Sequence, residues 1–322
     1  MKLTEILTRL YREIQETYPD GVKRNVESFY QYVEDRYSSF INLIKMLDEE
    51  ELITALRENG FFKGNLTKQR FSNFCNLIFN ECITILDSYY KGNVWAACKM
   101  LNGLLKSKHK MSRYWEDEYI NSFSFEFMEK NNLYRMVDFN ENEILEDCWH
   151  IHYEKRMYAS YSRYNMASIP CLYLADSENT ANKECGVIQK GKRRWISCFK
   201  PRNKKTLFFD LRIPTENEFD RYNLIDLIIT YPIRFLCSAK VVDGYYHEEY
   251  YFPQLLFHLF FMSDLIDLRF SYKGFVYSST ANIGGENYVL PALYKQHKPL
   301  LSGISPELEK LFEATKPTEY KE

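Results

Sequence analysis

The residues best suited to chemistry lie in the second half of the chain. Arg163 precedes Tyr173 by ten residues, and Glu184 follows Tyr173 by eleven. The apolar run Cys171–Ala175 predicts a strand that carries the tyrosine. Three residues that could cap a following helix come next: Asp176, Ser177 and Asn179. Glu184 would lie about two turns into that helix, close enough to Tyr173 to share a pocket.

These residues belong to an ordered series of motifs that resembles the RES domain, a family named for an arginine, a glutamate and a serine. The series comprises Trp149-His150, Lys155-Arg156, Arg163-Tyr164, Pro170-Cys-Leu-Tyr-Leu, Glu184, Tyr231-Pro232, Leu236-Cys-Ser238, Glu249–Leu256, Gly274–Thr280 and Asn287–Pro291. The chain departs from the family pattern twice. His152 stands where proline is expected, and Ser168-Ile169 replace the usual glycine before Pro170.

The resemblance implies an ADP-ribosyltransferase-like fold, with two small splayed sheets around a cleft that holds NAD+ as the substrate. Family members resemble bacterial toxins or defence effectors that break the nicotinamide–ribose bond, with water or phosphate as acceptor. Two alternatives stay open. The same residues could transfer ADP-ribose to a macromolecular target, or the chain could be an inactive RES fold that serves as an interaction module. An antitoxin or immunity protein and a second copy of the chain are the protein partners that the resemblance suggests.

The resemblance also assigns the four catalytic positions. The Glu184 carboxylate would stabilise the positive charge that builds on the ribose as nicotinamide leaves. Arg163 would hold a phosphate or ribose oxygen with its planar fork of donors. The Tyr173 ring would stack on the cationic nicotinamide. Ser279 would orient the glutamate or the ribose, and Ser278 takes that role if the register shifts by one.

The remaining contacts with NAD+ are assigned to Arg135, His150, Arg156 and Asn287. Arg135 would bind a second phosphate, and His150 would position the diphosphate or an acceptor. Each assigned residue has a structural alternative, because arginines and glutamates often form solvated ion pairs, and tyrosines often pack in cores.

Neither a metal site nor a disulfide framework is expected. The eight cysteines are scattered and include no CxxC pair. Cys148, His150 and His152 alternate and could share one face of a strand. A zinc site needs further ligands, and no second Cys/His cluster is present.

Proline is distributed unevenly and predicts two domains. Between Pro19 and Pro170 the chain has none, and apolar residues there recur at helical spacing. We therefore expect an α+β protein with a helical domain over residues 1–125 and the RES domain over 126–322. The helical half resembles the HEPN class, some members of which cut RNA with a closely spaced Arg and His. His109 has no arginine within six residues upstream, so ribonuclease activity is not expected.

Composition excludes several classes of protein. The formal net charge is −2, which gives no general attraction to nucleic acid. No apolar stretch approaches the roughly 20 residues of a membrane span, and the N-terminus lacks a signal-peptide core. A cytoplasmic protein without membrane or nucleic-acid partners is expected. The basic stretch Lys190–Lys205 predicts a strand pair with a solvated basic rim, with docking of an acidic antitoxin as the alternative.

Overall fold

The chain is mixed α/β and forms two compact units in the computed structural model. The helical unit comprises Met1–Phe123 and Ile213–Asp267, and the sheet unit comprises Ser124–Arg212 and Leu268–Glu322. The structure describes residues 1–15, 26–58, 67–107, 122–128, 131–202, 205–239, 247–263, 272–293 and 303–321. Proline and glycine predict interruptions of the helical half at Pro19–Gly21 and around Gly60–Gly64. Both segments lie outside the described residues, as does His109.

The α-helices are α1 Leu3–Gln15, α2 Val26–Lys45, α3 Glu49–Glu58, α4 Lys68–Tyr90, α5 Val94–Leu105, α6 Glu178–Cys185, α7 Leu224–Ser238, α8 Tyr251–Phe257 and α9 Pro306–Leu311. A π-helical turn, His258–Met262, continues α8. Short 3-10 turns cover Tyr153–Tyr158, Glu216–Arg221 and Glu248–Tyr250. Among the described helices, none is both long enough and apolar enough to cross a membrane.

Helix α7 is the most deeply buried helix of the helical unit. Its residues from Leu227 to Ser238 are all buried, so it has no polar face that water could cover. Phe40 of α2 stacks on Tyr231 with ring centroids 4.9 Å apart, and the Tyr37 hydroxyl donates to the Pro232 carbonyl at 3.0 Å. A helix that is buried all round needs neighbours on every side, and α1, α2, α4 and α8 provide them.

The burial of α7 explains why the units divide differently from the expected domains. A boundary at residue 125 lies close to the observed change of unit after Phe123. The expected second domain, 126–322, also contained residues 213–267, and the structure instead places these in the helical unit. Proline content did not indicate this, since Pro232 lies inside α7 of the helical unit.

The sheet unit is built on one curled sheet. Its strands are β1 Ser124–Met128, β2 Leu133–Asn140, β3 Cys171–Ala175, β4 Lys192–Pro201, β5 Lys205–Asp210, β6 Tyr272–Ser278, β7 Glu286–Pro291, β8 Phe312–Ala314 and β9 Thr318–Glu319. The order is β1-β5-β6-β7-β3-β2-β4-β8, and β9 also pairs with β4. Only the β5–β6 pair is parallel among the described pairings.

Strand register assigns side chains to two faces of this sheet. Ala175 pairs with Asn287, which pairs with Tyr277, so all three side chains lie on one face, called here the Asn287 face. Leu174 pairs with Tyr288, which pairs with Val276, and these define the Tyr288 face. A large apolar cluster covers the Tyr288 face, and α6 packs on the Asn287 face.

Candidate active site

Glu184 reaches the sheet because α6 is fixed against the Asn287 face. The Ser177 hydroxyl caps the helix by accepting a hydrogen bond from the Thr180 amide at 3.1 Å. One turn later, Ala181 packs against Ala175 and Met136 of the sheet. The predicted strand and the predicted helix that follows it are confirmed.

The Glu184 carboxylate is held by residues that are distant in sequence. Its Oε1 accepts hydrogen bonds from Ser279 Oγ at 2.6 Å and from Asn287 Nδ2 at 2.5 Å. Ser279 and Asn287 are buried, whereas Glu184 is exposed. Among the described residues, no hydrogen bond reaches Glu184 Oε2. The side chain is therefore oriented by one oxygen and open to a ligand at the other.

The loop between β6 and β7 carries Ser279 and is hydrogen-bonded to α6. The Ser279 hydroxyl accepts from the amides of Ala281 and Asn282 at 3.2 and 2.9 Å, in addition to donating to Glu184. Asn282 Nδ2 donates to Thr180 Oγ1 at 2.8 Å. Gly285 is required here, because a Cβ at this position would lie 2.5 Å from Thr180 Oγ1.

Tyr173 lies on the same face as Asn287, two residues along from Ala175. Its hydroxyl donates to Asn165 Oδ1 at 2.8 Å and is 2.5 Å from Ser162 Oγ. Burial raises the pKa of Tyr173 well above its ordinary value, so the phenol stays protonated at neutral pH. The residue is half-buried, and its hydroxyl is held by Asn165 and Ser162.

Arg163 lies in the loop that holds the Tyr173 hydroxyl. Its neighbour Tyr164 is fully buried, with its ring 4.7 Å from that of Tyr277 and 5.4 Å from that of Phe275. Arg163 itself is half-buried. At the end of this loop, Ser168 has a φ of 66°, the left-handed conformation that glycine adopts most easily.

Arg135 does not join this group of side chains. Tyr134 pairs with Ala175, so Arg135 points to the opposite, Tyr288 face. Its Nη1 donates to the Tyr173 carbonyl at 3.1 Å, while its Nε is buried without a hydrogen bond. Burial lowers the pKa of Arg135. The expected contact with a phosphate beside Glu184 is therefore not supported by the register.

His150 is buried and fully hydrogen-bonded, contrary to its expected role in binding diphosphate. Its Nδ1 donates to the Ile151 carbonyl at 2.7 Å, and its Nε2 accepts from the Ser305 amide at 2.9 Å. The side chain is only 2% exposed, and burial lowers its pKa. Both ring nitrogens are used by the protein, so neither is left for a ligand.

The described contacts do not join Ser278 or Arg156 to Glu184. Ser278 pairs with Glu286, so its side chain points to the Tyr288 face, and Ser279 is the serine that contacts the glutamate. Arg156 is exposed on a 3-10 turn, where its guanidinium lies 4.8 Å from the ring centroid of Tyr153. Of the nine assigned residues, the described contacts join Glu184, Ser279 and Asn287 directly.

Two residues at this site could not be recognised from the sequence. Asn165 is 4% exposed and bonds Tyr173, Ser162 and the loop backbone, yet an asparagine in a loop usually indicates only a turn. Arg194 belongs to the expected basic rim but is 2% exposed and forms an ion pair with Asp138. Among the other basic residues of this stretch, Lys190, Arg193, Lys200 and Arg202 are exposed, as expected for a rim.

A separate cavity of about 460 Å³ lies in the helical unit between α2 and α4. Its lining includes Glu34, Asp35, Asn42 and Asn80, and none of the assigned site residues.

All eight cysteines are free thiols. Within the described residues, no group of three or more His, Cys, Asp or Glu side chains could hold a metal ion.

Comparison of the chain with protein-family models, with curated proteins and with solved structures finds no match.

Proposed function

We propose that this protein is an NAD+-consuming enzyme that breaks the nicotinamide–ribose bond. The observation that carries the proposal is the Glu184 carboxylate, which Ser279 and Asn287 hold through Oε1 while Oε2 has no partner among the described residues. The geometry supports a role in orienting and stabilising a substrate that develops positive charge.

The chemistry explains why such a carboxylate is useful. When the bond breaks, the electron pair leaves with nicotinamide, which becomes neutral, and positive charge develops on the ribose carbon. A fixed negative charge beside that carbon lowers the barrier without reorganising during the reaction. An acceptor oxygen, from water or phosphate, then bonds to the same carbon and loses its proton. The two donors on Oε1 hold the carboxylate in place and leave Oε2 to contact the ribose.

Tyr173 and Arg163 fit the rest of the substrate. The tyrosine ring lies on the face of the sheet that Glu184 reaches, and its hydroxyl is anchored by Asn165, which favours a fixed platform for a cationic ring. Arg163, in the adjoining loop, offers the planar donors that suit a phosphate. In a bacterial cell such an enzyme would act as a toxin or defence effector held in check by an antitoxin or immunity protein.

The test is nicotinamide release from NAD+ by the purified protein and by Glu184→Gln. The substitution removes the charge and keeps the shape, so we expect turnover to fall by about 10²- to 10³-fold. Binding of NAD+ should fall much less, because the charge acts mainly in the transition state. Glu178→Gln is the matched control, since Glu178 is an exposed glutamate in the first turn of the same helix.

Three outcomes of this experiment are informative. Loss of turnover in Glu184→Gln alone supports the proposal. Turnover of Glu184→Gln within about threefold of wild type, in a folded protein, would refute it. Parallel reactions with phosphate and with cell lysate, followed by product analysis and label transfer, identify the acceptor and test the transferase alternative.

A further inference from the structure

We infer that Arg194 is a positioning residue that fixes the last turn of α6 and thereby holds Glu184 at the site. The inference rests on the proposed function, because it concerns the placement of the same carboxylate. Arg194 lies on β4, and its hydrogen bonds go to Asp138, Asn182 and Gly186.

The anchor for Arg194 is the neighbouring strand. Asp138 of β2 is its register partner across the sheet. Arg194 Nε donates to Asp138 Oδ1 at 2.7 Å, and Nη2 donates to Asp138 Oδ2 at 2.9 Å. This two-point ion pair fixes both the position and the plane of the guanidinium. The Arg194 side chain is only 1% exposed, so water does not compete for these contacts.

The remaining donors of Arg194 go to the end of α6. Nη1 donates to the backbone carbonyl of Asn182 at 3.2 Å and also to the Asn182 side-chain oxygen. Nη2 donates to the Gly186 carbonyl at 2.9 Å. Carbonyls in the last turn of a helix lack partners within the helix, so a cation here also suits the helix dipole.

Glu184 lies between Asn182 of α6 and Gly186, the C-cap of that helix, and Arg194 binds both. Asn182 precedes it by two positions and Gly186 follows it by two, so the arginine fixes the backbone on both sides of the glutamate. The hydrogen bonds from Ser279 and Asn287 fix the carboxylate itself. Arg194 therefore couples the β2–β4 side of the sheet to a carboxylate that is otherwise held from β7 and the loop after β6.

Only arginine can make this set of contacts. A guanidinium has five N–H donors in a rigid fork, and the five contacts of Arg194 to Asp138, Asn182 and Gly186 use that capacity. Lysine keeps the charge but offers three donors from one atom and cannot bind Asp138 and α6 together in this way. Arg194→Lys thus separates the positioning role from the charge.

The first experiment compares nicotinamide release by wild type, Arg194→Lys and Glu184→Gln. We expect Arg194→Lys to lower kcat by about 10- to 100-fold, because small displacements of a catalytic group have effects of this size. KM should stay within about threefold of wild type, since Arg194 does not contact the substrate. Leu308→Ala removes a buried side chain on the Tyr288 face and controls for general loss of stability. It should leave kcat within about threefold of wild type.

A second experiment does not depend on activity. Hydrogen exchange should be faster in Arg194→Lys by about tenfold or more for the amides of residues 182–186, which include the Gly186 amide bonded to the Lys183 carbonyl. Leu308→Ala should not accelerate this segment selectively. If wild type releases no nicotinamide, the proposed function fails, and this measurement alone decides whether Arg194 holds the end of α6.

The results that would overturn the inference are specific. One is a folded Arg194→Lys with kcat within about threefold of wild type while Glu184→Gln is inactive. The other is unchanged exchange of residues 182–186. If Arg194→Lys does not fold, Asn182→Ala replaces it, because that change removes one acceptor of Arg194 and leaves the ion pair with Asp138. A kcat reduced about three- to tenfold at constant KM then supports the inference, and an unchanged kcat overturns it.

Discussion

Two polar groups on opposite faces of the sheet, one around Arg212 on the Tyr288 face and one around Glu184 on the Asn287 face, use their charges differently. On the Tyr288 face, Arg212 donates to both oxygens of Asp210 and to Glu286 Oε1, and the Tyr288 hydroxyl donates to Glu286 Oε2 at 2.6 Å. These groups bind one another inside the protein. On the Asn287 face, the two donors to Glu184 converge on one oxygen of an exposed side chain.

This difference separates residues that stabilise the fold from residues that are placed to act on a ligand. A buried charge whose partners are all protein groups is costly to disturb, and it has no capacity left for a ligand. His150 illustrates this, since both of its nitrogens are bonded and it is 2% exposed. An oriented but accessible carboxylate has the opposite properties. Substitutions on the Tyr288 face should therefore change unfolding, and substitutions around Glu184 should change turnover.

The largest effect is expected when the Tyr288-face network is broken. Arg212→Met removes the cation between Asp210 and Glu286 and leaves two carboxylates without it. Removing one partner of a buried ion pair typically costs about 3–5 kcal/mol. Chemical denaturation should show a loss of this order. Glu184→Gln should lower the free energy of unfolding by less than about 1 kcal/mol, since exposed charges contribute little. Equal losses in the two variants would contradict the division between the faces.

The next prediction compares two adjacent serines on opposite faces. Ser279→Ala removes a hydrogen bond to the Glu184 carboxylate, and such bonds are worth about 1.5–3 kcal/mol. We expect kcat for nicotinamide release to fall by about 10- to 100-fold with little change in KM. Ser278→Ala is the control, because Ser278 points to the Tyr288 face. Equal effects of the two substitutions would mean that Ser279 acts only through local structure.

The elements that carry the site could be predicted because their signals are local. The strand Cys171–Ala175 has the expected bounds, and Ser177 caps α6 as one of the proposed residues. The pair Ser305-Pro306 is a further local signal, a capping residue followed by proline, and it opens α9. Periodicity, turn residues and caps depend on a few neighbouring positions, so one sequence is enough to recognise them.

The face on which each polar residue lies could not be predicted, because register depends on distant segments. Arg135 points away from Tyr173 because β2 meets β3 through the pair Tyr134 and Ala175. His150 Nε2 accepts a hydrogen bond from the backbone amide of a residue 155 positions further along the chain. The same holds for α7, whose apolar surface is covered by helices from the N-terminal part of the helical unit.

The smallest predicted effect concerns the pH dependence of stability at His150. Burial lowers its pKa in the folded state below the ordinary value of 6.5, so folding favours the neutral ring. The stability that depends on the neutral ring is fully present above the pKa of the unfolded state. It is lost as the pH falls, because the unfolded chain takes up a proton more readily. Titrating carboxylates also lower stability in acid, so a difference between two proteins is needed to isolate the histidine.

His150→Gln provides that difference, because glutamine cannot take up a proton in this range. The wild-type protein should lose free energy of unfolding relative to His150→Gln as the pH is lowered from 8 to about 5. Urea denaturation of both proteins at several pH values measures the gap between them. A gap that stays constant with pH would mean that the His150 ring is not held neutral in the folded protein. A gap that closes towards acid pH would support a buried, neutral ring whose two nitrogens are both bonded within the protein.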